Sequence, residues 1–122
     1  MDDELTRNVI GCAIEVHKSL GPGLLESAYE QCLFFELRQQ GMQVLSQVQL
    51  PVLYKGNKID AGYRLDLVIS NQLIIELKAV NKVMPIHHAQ TLTYMKLAKI
   101  HKALLINFNV IRLVDGIKRF VL

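Results

Sequence analysis

Residues 63–80 read YRLDLVISNQLIIELKAV, and this stretch decides how the rest of the chain is interpreted. Two short runs rich in Val, Ile and Leu flank the polar triplet at 70–72, a composition typical of a turn between paired strands. Counting back from that loop places Asp66 of the first strand opposite Glu76 of the second. Side chains alternate along a strand, so Lys78 lies on the same face as Glu76.

These three charges predict a cation site. Like charges directly opposite each other destabilise a sheet, and a divalent cation between Asp66 and Glu76 would remove the conflict. The alternative is a surface ion pair between Glu76 and Lys78 on an edge strand. Residues 73–80 are otherwise almost entirely apolar, which is typical of a central strand and favours the metal site.

The composition predicts one α/β domain over residues 1–122. The chain is 51% hydrophobic, with a mean hydropathy of +0.23. This length buries a core without disulfides, and this hydrophobicity excludes a disordered chain. No apolar run approaches the roughly 18 residues of a membrane span, and the acidic start MDDELTRNV is unlike a signal peptide. Cys12 and Cys32 are too few for a disulfide framework, so we expect a cytoplasmic protein with no membrane attachment.

Charge is distributed unevenly along the chain. Residues 1–36 contain seven acidic and two basic residues, whereas residues 37–122 contain four acidic and twelve basic ones. A basic segment of this length suits a polyanionic partner such as nucleic acid. The alternative is that these lysines and arginines only solvate the surface, and charge alone does not decide between the two.

Periodicity and turn residues predict the remaining elements. Pro51 cannot donate to a strand ladder, so the extended segment around it is expected at a sheet edge or with a bulge. Asp115-Gly116 predicts a tight turn between two final strands. The predicted order is helix 2–20, helix 24–40, strand 43–54, the central hairpin from residue 59 to residue 80, helix 86–99, strand 103–108, and a C-terminal hairpin with strands 110–114 and 117–121.

Three polar side chains on the predicted helices are further candidates. Glu26 lies in the first turn of the second helix, where a carboxylate also fits as a partner of the helix dipole, worth about 0.3–1 kcal/mol. Gln90 and Tyr94 are four residues apart on the third helix and therefore share one side of it.

Three motifs occur along the chain in order. They are G-x-x-E-x-x-Y at Gly23, Glu26 and Tyr29; Asp66 followed by Glu76-x-Lys78; and Q-x-x-x-Y at Gln90 and Tyr94. In this order they resemble the GxxExxY family, a small branch of the PD-(D/E)xK nuclease superfamily. The resemblance covers nearly the whole chain. It implies a restriction-endonuclease-like core, in which a mixed central β-sheet is flanked by helices.

The resemblance also implies a metal site. Asp66 and Glu76 match the superfamily's metal-binding acids, which are usually helped by a main-chain carbonyl, here that of Leu77. Glu26 matches the acid on the preceding helix. The implied cofactor is Mg²⁺, with Mn²⁺ as a substitute. One departure is that Leu65, rather than proline, precedes Asp66.

The remaining matches imply roles in catalysis. Lys78 matches the catalytic lysine, which orients water or stabilises charge on the phosphate. Gln90 and Tyr94 match the polar position on the following helix and are expected to orient substrate or the groups around the metal. The expected function is a Mg²⁺-dependent phosphodiesterase acting on DNA or RNA, and the expected partner is a second copy of the chain or a protein that supplies specificity. The alternative is a module that keeps the fold but binds nucleic acid or protein without cleaving.

Overall fold

The computed structural model describes residues 3–122. Its elements in chain order are α1 (Glu4–Leu20), α2 (Glu26–Gln39), β1 (Val44–Gln49), β2 (Val52–Tyr54), β3 (Asn57–Ile59), β4 (Arg64–Ile69), β5 (Leu73–Lys78), α3 (Pro85–Ala98), β6 (Lys102–Asn107), a 3-10 helix (Leu113–Gly116) and β7 (Ile117–Val121). The predicted first helix extended back to Asp2, which lies outside the described residues.

A five-stranded mixed sheet forms the centre of the fold. Its strand order is β1-β4-β5-β6-β7, with β5 and β6 parallel and the other neighbours antiparallel. A parallel pair needs a crossover connection, and α3 supplies it between β5 and β6. The predicted α/β fold, a mixed sheet flanked by helices, is confirmed.

Apolar side chains cover both faces of the sheet. On one face, α1 and α2 pack through residues such as Val9, Leu33 and Tyr29 against the odd-numbered residues of β5. On the other face, α3 packs through Met95 and Tyr94 against Ile74 and its neighbours. Strand β5 is therefore buried on both sides, as its nearly unbroken apolar sequence predicts.

The segment around Pro51 divides into two sheets. Strand β1 is an edge strand, as predicted, but it ends at Gln49. Residues 52–59 then form a separate two-stranded sheet, in which Val52 pairs with Ile59. The single strand predicted over residues 43–54 is therefore wrong beyond Gln49.

The C-terminal antiparallel pair joins β6 to β7, and the predicted strand at 110–114 is wrong. Val110 leads instead into the 3-10 helix, and its carbonyl accepts a hydrogen bond from Nε2 of His17 in α1 at 2.9 Å. Asp115 and Gly116 do not have the positive φ of a two-residue hairpin turn. A Cβ on Gly116 would lie 2.2 Å from the Asn107 carbonyl oxygen, so glycine is needed there for close packing against β6.

Within residues 3–122, none of the helices has both the length and the apolar character needed to cross a membrane.

Candidate functional site

The ladder between β4 and β5 stops at the two acidic residues. Regular pairs run from Ile69–Leu73 to Leu67–Ile75. Beyond that point, the Asp66 N–H donates to Glu76 Oε2 at 2.8 Å, and the Leu77 N–H donates to Asp66 Oδ2 at 2.8 Å. Each carboxylate thus accepts a main-chain N–H of the opposite strand, and both lie in the same gap of the sheet.

The carboxyl of Glu76 has a strongly raised pKa. Glu76 is 7% exposed, and the pKa of its carboxyl is raised to about 8. Burial is the largest cause of this raised pKa, and the Asp66 charge is the next, while the Asp66 N–H and Lys78 oppose them. Two acids in this gap therefore lack enough positive charge nearby to ionise together easily.

Glu26 approaches the gap from the face covered by α2. It is half-buried in the first turn of α2, and its pKa is raised by burial and then by the Asp66 charge, with Lys78 acting in the opposite direction. These effects put Glu26 within electrostatic reach of both Asp66 and Lys78.

The G-x-x-E-x-x-Y residues fix the start of α2. Gly23 has φ +98°, a conformation that favours glycine. The Tyr29 hydroxyl donates to the Gly21 carbonyl and accepts the Leu24 N–H at 3.1 Å. The Tyr29 ring is fully buried and stacks on Phe108, with centroids 4.5 Å apart. This tyrosine therefore ties the loop before α2 to the core, which sets the position of the helix that carries Glu26.

Gln90 and Tyr94 approach from the opposite face on α3. Burial raises the pKa of Tyr94, and Glu76, Tyr63 and Asp66 raise it further, while a side-chain hydrogen bond with Gln90 lowers it. Tyr94 is therefore close to both acids of the gap, and Gln90 lies near it on the same side of α3. The six side chains singled out in the sequence surround one end of the β4–β5 pair.

Two further polar residues adjoin the site and were not predicted. Glu30 lies one turn after Glu26, and its pKa is raised by burial and by the Asp66 charge. Gln47 lies on β1 between the two residues that pair with Leu65 and Leu67, and its Nε2 donates to both carboxylate oxygens of Glu30, at 3.0 and 2.8 Å. The spacing of four from Glu26 could have indicated Glu30.

Gln47 adopts a left-handed conformation, with φ +53°, inside a strand. This backbone change coincides with a switch of sides along β4, because Leu65 packs with the α3 core whereas Leu67 packs with the α1–α2 core. Strict alternation would put both on one face. Asp66 lies at this switch, between Leu65 and Leu67, and its side chain reaches the Leu77 N–H of β5.

Asn107 holds the chain where it leaves β5. This side chain is 3% exposed; its Oδ1 accepts the Val80 N–H at 3.1 Å, and its Nδ2 donates to the Val80 carbonyl at 2.9 Å. The Lys78 carbonyl accepts the Phe108 N–H at 2.9 Å. Lys78 is thus fixed at its main chain, while its side chain is half-buried.

The gap has the donors that a hard cation prefers. Asp66 and Glu76 each use one oxygen for a main-chain N–H and keep the other. The N–H and C=O of a strand residue point the same way, so the Leu77 carbonyl also faces the gap. Mg²⁺ takes oxygen ligands and needs only one or two carboxylates from the protein, so this set fits it by chemistry. Across residues 3–122, no three Asp, Glu, His or Cys side chains are grouped closely enough to hold a metal ion as they stand.

Comparison with known proteins relates the sequence of the chain to one superfamily. None of the curated proteins and none of the solved structures compared with the chain matches it significantly. A sequence model of the PD-(D/E)XK nuclease superfamily matches residues 3–120, nearly the whole chain. Nucleases of this superfamily generally use divalent metals. On this match, the chain belongs to the PD-(D/E)XK nuclease superfamily.

Proposed function

We propose that this protein is a Mg²⁺-dependent phosphodiesterase that hydrolyses the backbone of DNA or RNA, and that it belongs to the GxxExxY branch of its superfamily. The reciprocal bonding of Asp66 and Glu76 across the β4–β5 gap carries this proposal. It holds two acids side by side at the end of a buried strand, where burial and mutual repulsion leave an excess of negative charge.

Asp66, Glu76 and the Leu77 carbonyl would hold the Mg²⁺, with Glu26 contributing a further ligand or a contact to a bound water. When bound, the ion would supply positive charge to the phosphate and lower the pKa of an attacking water. Glu26 supports this assignment because its pKa is raised by burial and then by the charge of the nearby Asp66.

Lys78 supplies the positive charge that the protein itself contributes. Its ammonium lies near Glu26 and Glu76, since it opposes the rise of both pKa values. An ammonium has three N–H donors and no metal-binding lone pair, so it serves to orient water or to stabilise the negatively charged transition state.

Gln90 and Tyr94 act from the α3 face as positioning groups. The phenol of Tyr94 lies near Glu76, and the Gln90 side chain lies beside it. From there they orient the metal-bound carboxylates or the substrate. Glu30 and Gln47 add a hydrogen-bonded pair on the α2 face, next to Asp66.

The second candidate function is a module that binds nucleic acid or protein without cleaving it. It is favoured by one observation: among residues 3–122 no three metal-binding side chains are already grouped. In either case we propose a single domain of the cytoplasm, where the free thiols of Cys12 and Cys32 would stay reduced, with specificity supplied by a second copy or a protein partner.

A cleavage assay separates the two functions. Purified protein is incubated with end-labelled single- and double-stranded DNA and RNA in Mg²⁺, Mn²⁺ or EDTA, beside a Glu76→Gln variant. The nuclease is supported by products that form with either metal and are absent in EDTA and with Glu76→Gln. Equal products from wild type and variant would indicate a contaminating nuclease. If the folded wild type makes no products from any substrate, the non-cleaving module is favoured.

A further inference from the structure

The segment between β1 and β4 projects from the fold as a separate unit, here named the hairpin arm (residues 52–63). Its strands β2 and β3 pair only with each other. Every residue from Leu53 to Arg64 is exposed. The arm therefore contributes little to the two cores, and its side chains are free to contact something else.

The arm exposes large apolar and aromatic side chains. Tyr54 is 58% exposed and Tyr63 43%, and Leu53 and Ile59 are exposed beside them. Aromatic side chains that are exposed to solvent are a feature of binding surfaces. Two rings on one short arm offer flat platforms of the kind on which unpaired bases stack.

The arm and its junction with β4 also carry positive charge. Residues 51–64 contain three basic residues, Lys55, Lys58 and Arg64, against the single acid Asp60. The Lys55 ammonium lies over the Tyr54 ring, 5.4 Å from its centroid, so a phosphate-binding group and an aromatic ring lie together at the tip of the arm. Lys55 and Gly56 both have positive φ, as a tight two-residue hairpin turn requires, so the arm presents this pair from a defined turn.

The base of the arm adjoins the acidic gap. The Tyr63 ring lies 5.9 Å from that of Tyr94, centroid to centroid, and Tyr94 is close to Glu76 and Asp66. Only two residues separate Tyr63 from Asp66 along the chain. A nucleotide stacked on Tyr63 would therefore have its backbone near the carboxylates.

We propose that the hairpin arm binds unpaired nucleotides of a single-stranded nucleic acid and leads that strand to the acidic gap; this rests on the proposed function and narrows its substrate class. The exposed tyrosines stack on bases, whose faces are hidden in a duplex, and the lysines contact the phosphates between them. A second copy of the chain or an acidic protein could bind the same surface, and oligonucleotide binding together with light scattering distinguishes these partners from a single strand.

Binding is measured in EDTA, so that cleavage does not enter. Fluorescence anisotropy follows labelled 12-nucleotide oligo(dT) and oligo(rU), and a 12-base-pair duplex, added to wild type, Tyr54→Ala, Tyr63→Ala and the matching Phe variants. We expect one or both single strands to bind at least about tenfold tighter than the duplex. Each Ala variant should weaken that binding by about 5-fold to 150-fold, the range for loss of one stacked base, whereas the Phe variants should keep it.

Phe35→Ala is the matched control. Phe35 is also a large aromatic, 60% exposed, but lies in the second half of α2, away from the arm, so its loss should leave binding unchanged. Tyr54 lies outside both cores, so Tyr54→Ala still decides the matter if Tyr63→Ala fails to fold. Circular dichroism melts of each variant identify such a failure.

The proposal is overturned if the Tyr54→Ala protein binds single strands as the wild type does, or if the duplex binds as tightly as both single strands. It is also overturned if Tyr54→Ala turns a dimer into a monomer in light scattering without affecting oligonucleotide binding. Wild type that cleaves a duplex as readily as single strands, without dependence on the arm, overturns this proposal alone. Arm-dependent binding with no cleavage in any metal overturns the nuclease alone.

Discussion

At the level of single residues, Asp66 and Glu76 replace two main-chain acceptors at the end of a sheet ladder. Each carboxylate accepts an N–H, which stabilises its charged form, while burial and the neighbouring acid destabilise it. Lys78 offsets part of the remaining charge. The balance among these three groups leads to the first two predictions.

Replacing Lys78 with Met should abolish cleavage and leave metal binding nearly unchanged. The ammonium contributes no metal ligand, and its stem keeps a similar volume in Met. We expect the cleavage rate to fall by about 100-fold or more, the effect of losing one donor to a developing oxyanion. Single-turnover cleavage and Mn²⁺ titration calorimetry measure the two effects.

Lys18→Met is the control for that change, because Lys18 is an exposed lysine on α1. It should cleave at the wild-type rate. A Lys78→Met protein that also cleaves at that rate would show that Lys78 has no part in the chemistry.

Replacing Asp66 with Asn should change stability in opposite directions without and with metal. The Asn carbonyl can still accept the Leu77 N–H, but the charge that opposes Glu76 is gone. In EDTA we expect the free energy of unfolding to equal or exceed that of wild type, against the loss of about 0.5–3 kcal/mol typical of substitutions. Added Mg²⁺ or Mn²⁺ should stabilise wild type by mass action, and the variant much less.

Urea melts in EDTA and across a metal titration measure this, with the exposed Asp115→Asn as control. Asp66 would be a structural carboxylate if two results were found together. The free energy of unfolding of the wild type would not change in millimolar Mn²⁺, and that of Asp66→Asn would be clearly lower than wild type in EDTA. The non-cleaving module would then be the better interpretation.

At the level of elements, the start of α2 depends on Tyr29. Its hydroxyl bridges the Gly21 carbonyl and the Leu24 N–H, and α2 lacks a side-chain cap of its own. The helix that carries Glu26 and Glu30 is thus held by a tyrosine from its own second turn rather than by an N-cap residue.

Replacing Tyr29 with Phe should therefore loosen the start of α2. The ring can still stack on Phe108, but two loop groups lose their partner. We expect a loss of about 1–3 kcal/mol in the free energy of unfolding, measured by urea melts, and faster hydrogen exchange of the amides at 24–27. Tyr54→Phe, an exposed tyrosine, is the control and should be neutral. Unchanged exchange at 24–27 in Tyr29→Phe would contradict the bridging role.

Local sequence signals located most of these elements, but not their partners. The apolar runs and the 70–72 turn determine β4, β5 and their register, since the length of the loop fixes which residues of the two strands pair. Residues 110–114 are also mostly apolar and β-branched, like a strand, yet β7 occupies the edge of β6. Asp115-Gly116 resembles a hairpin turn, but glycine is required there by the Asn107 carbonyl, which is distant in sequence.

The site shows the same division between what the sequence predicts and what it does not. Asp66, Glu76 and Lys78 could be grouped because strand alternation is local. Gln47 could not, because a left-handed residue inside a strand has no sequence pattern when it is not glycine. The hairpin arm could not be predicted from the sequence, because Pro51 indicates a strand at the edge of a sheet but does not indicate that the chain leaves the sheet.

At the level of the whole molecule, stability in EDTA should fall as pH rises from about 5 to 8. The pKa of Glu76 is about 8 in the folded chain against an ordinary 4.5, so between those values the folded state holds a proton that the unfolded state has released. Stability from this group is complete below its unfolded pKa and is lost as pH passes the folded one. The raised pKa values of Glu26 and Glu30 act in the same direction.

One pKa unit corresponds to about 1.4 kcal/mol, so we expect the free energy of unfolding to fall by more than that across this range. Urea melts at pH 5, 6, 7 and 8 in EDTA measure it. Glu76→Gln should flatten the profile, and saturating Mn²⁺ should reverse the slope, because metal binding requires the carboxylates deprotonated. Stability that rises from pH 5 to 8 in EDTA would contradict the burial of a protonated Glu76.

The place where the ladder between β4 and β5 stops also offers a signal for spectroscopy. The amide protons of Asp66 and Leu77 are bonded to carboxylates rather than to peptide carbonyls. The chemical shifts of these two amide protons will therefore change when the two acids ionise or bind a cation. The chemical shifts of amides along the regular β4–β5 ladder will not change. The molecule thus carries two labels at the gap itself, which can be observed without substrate, without turnover, and in variants that no longer cleave.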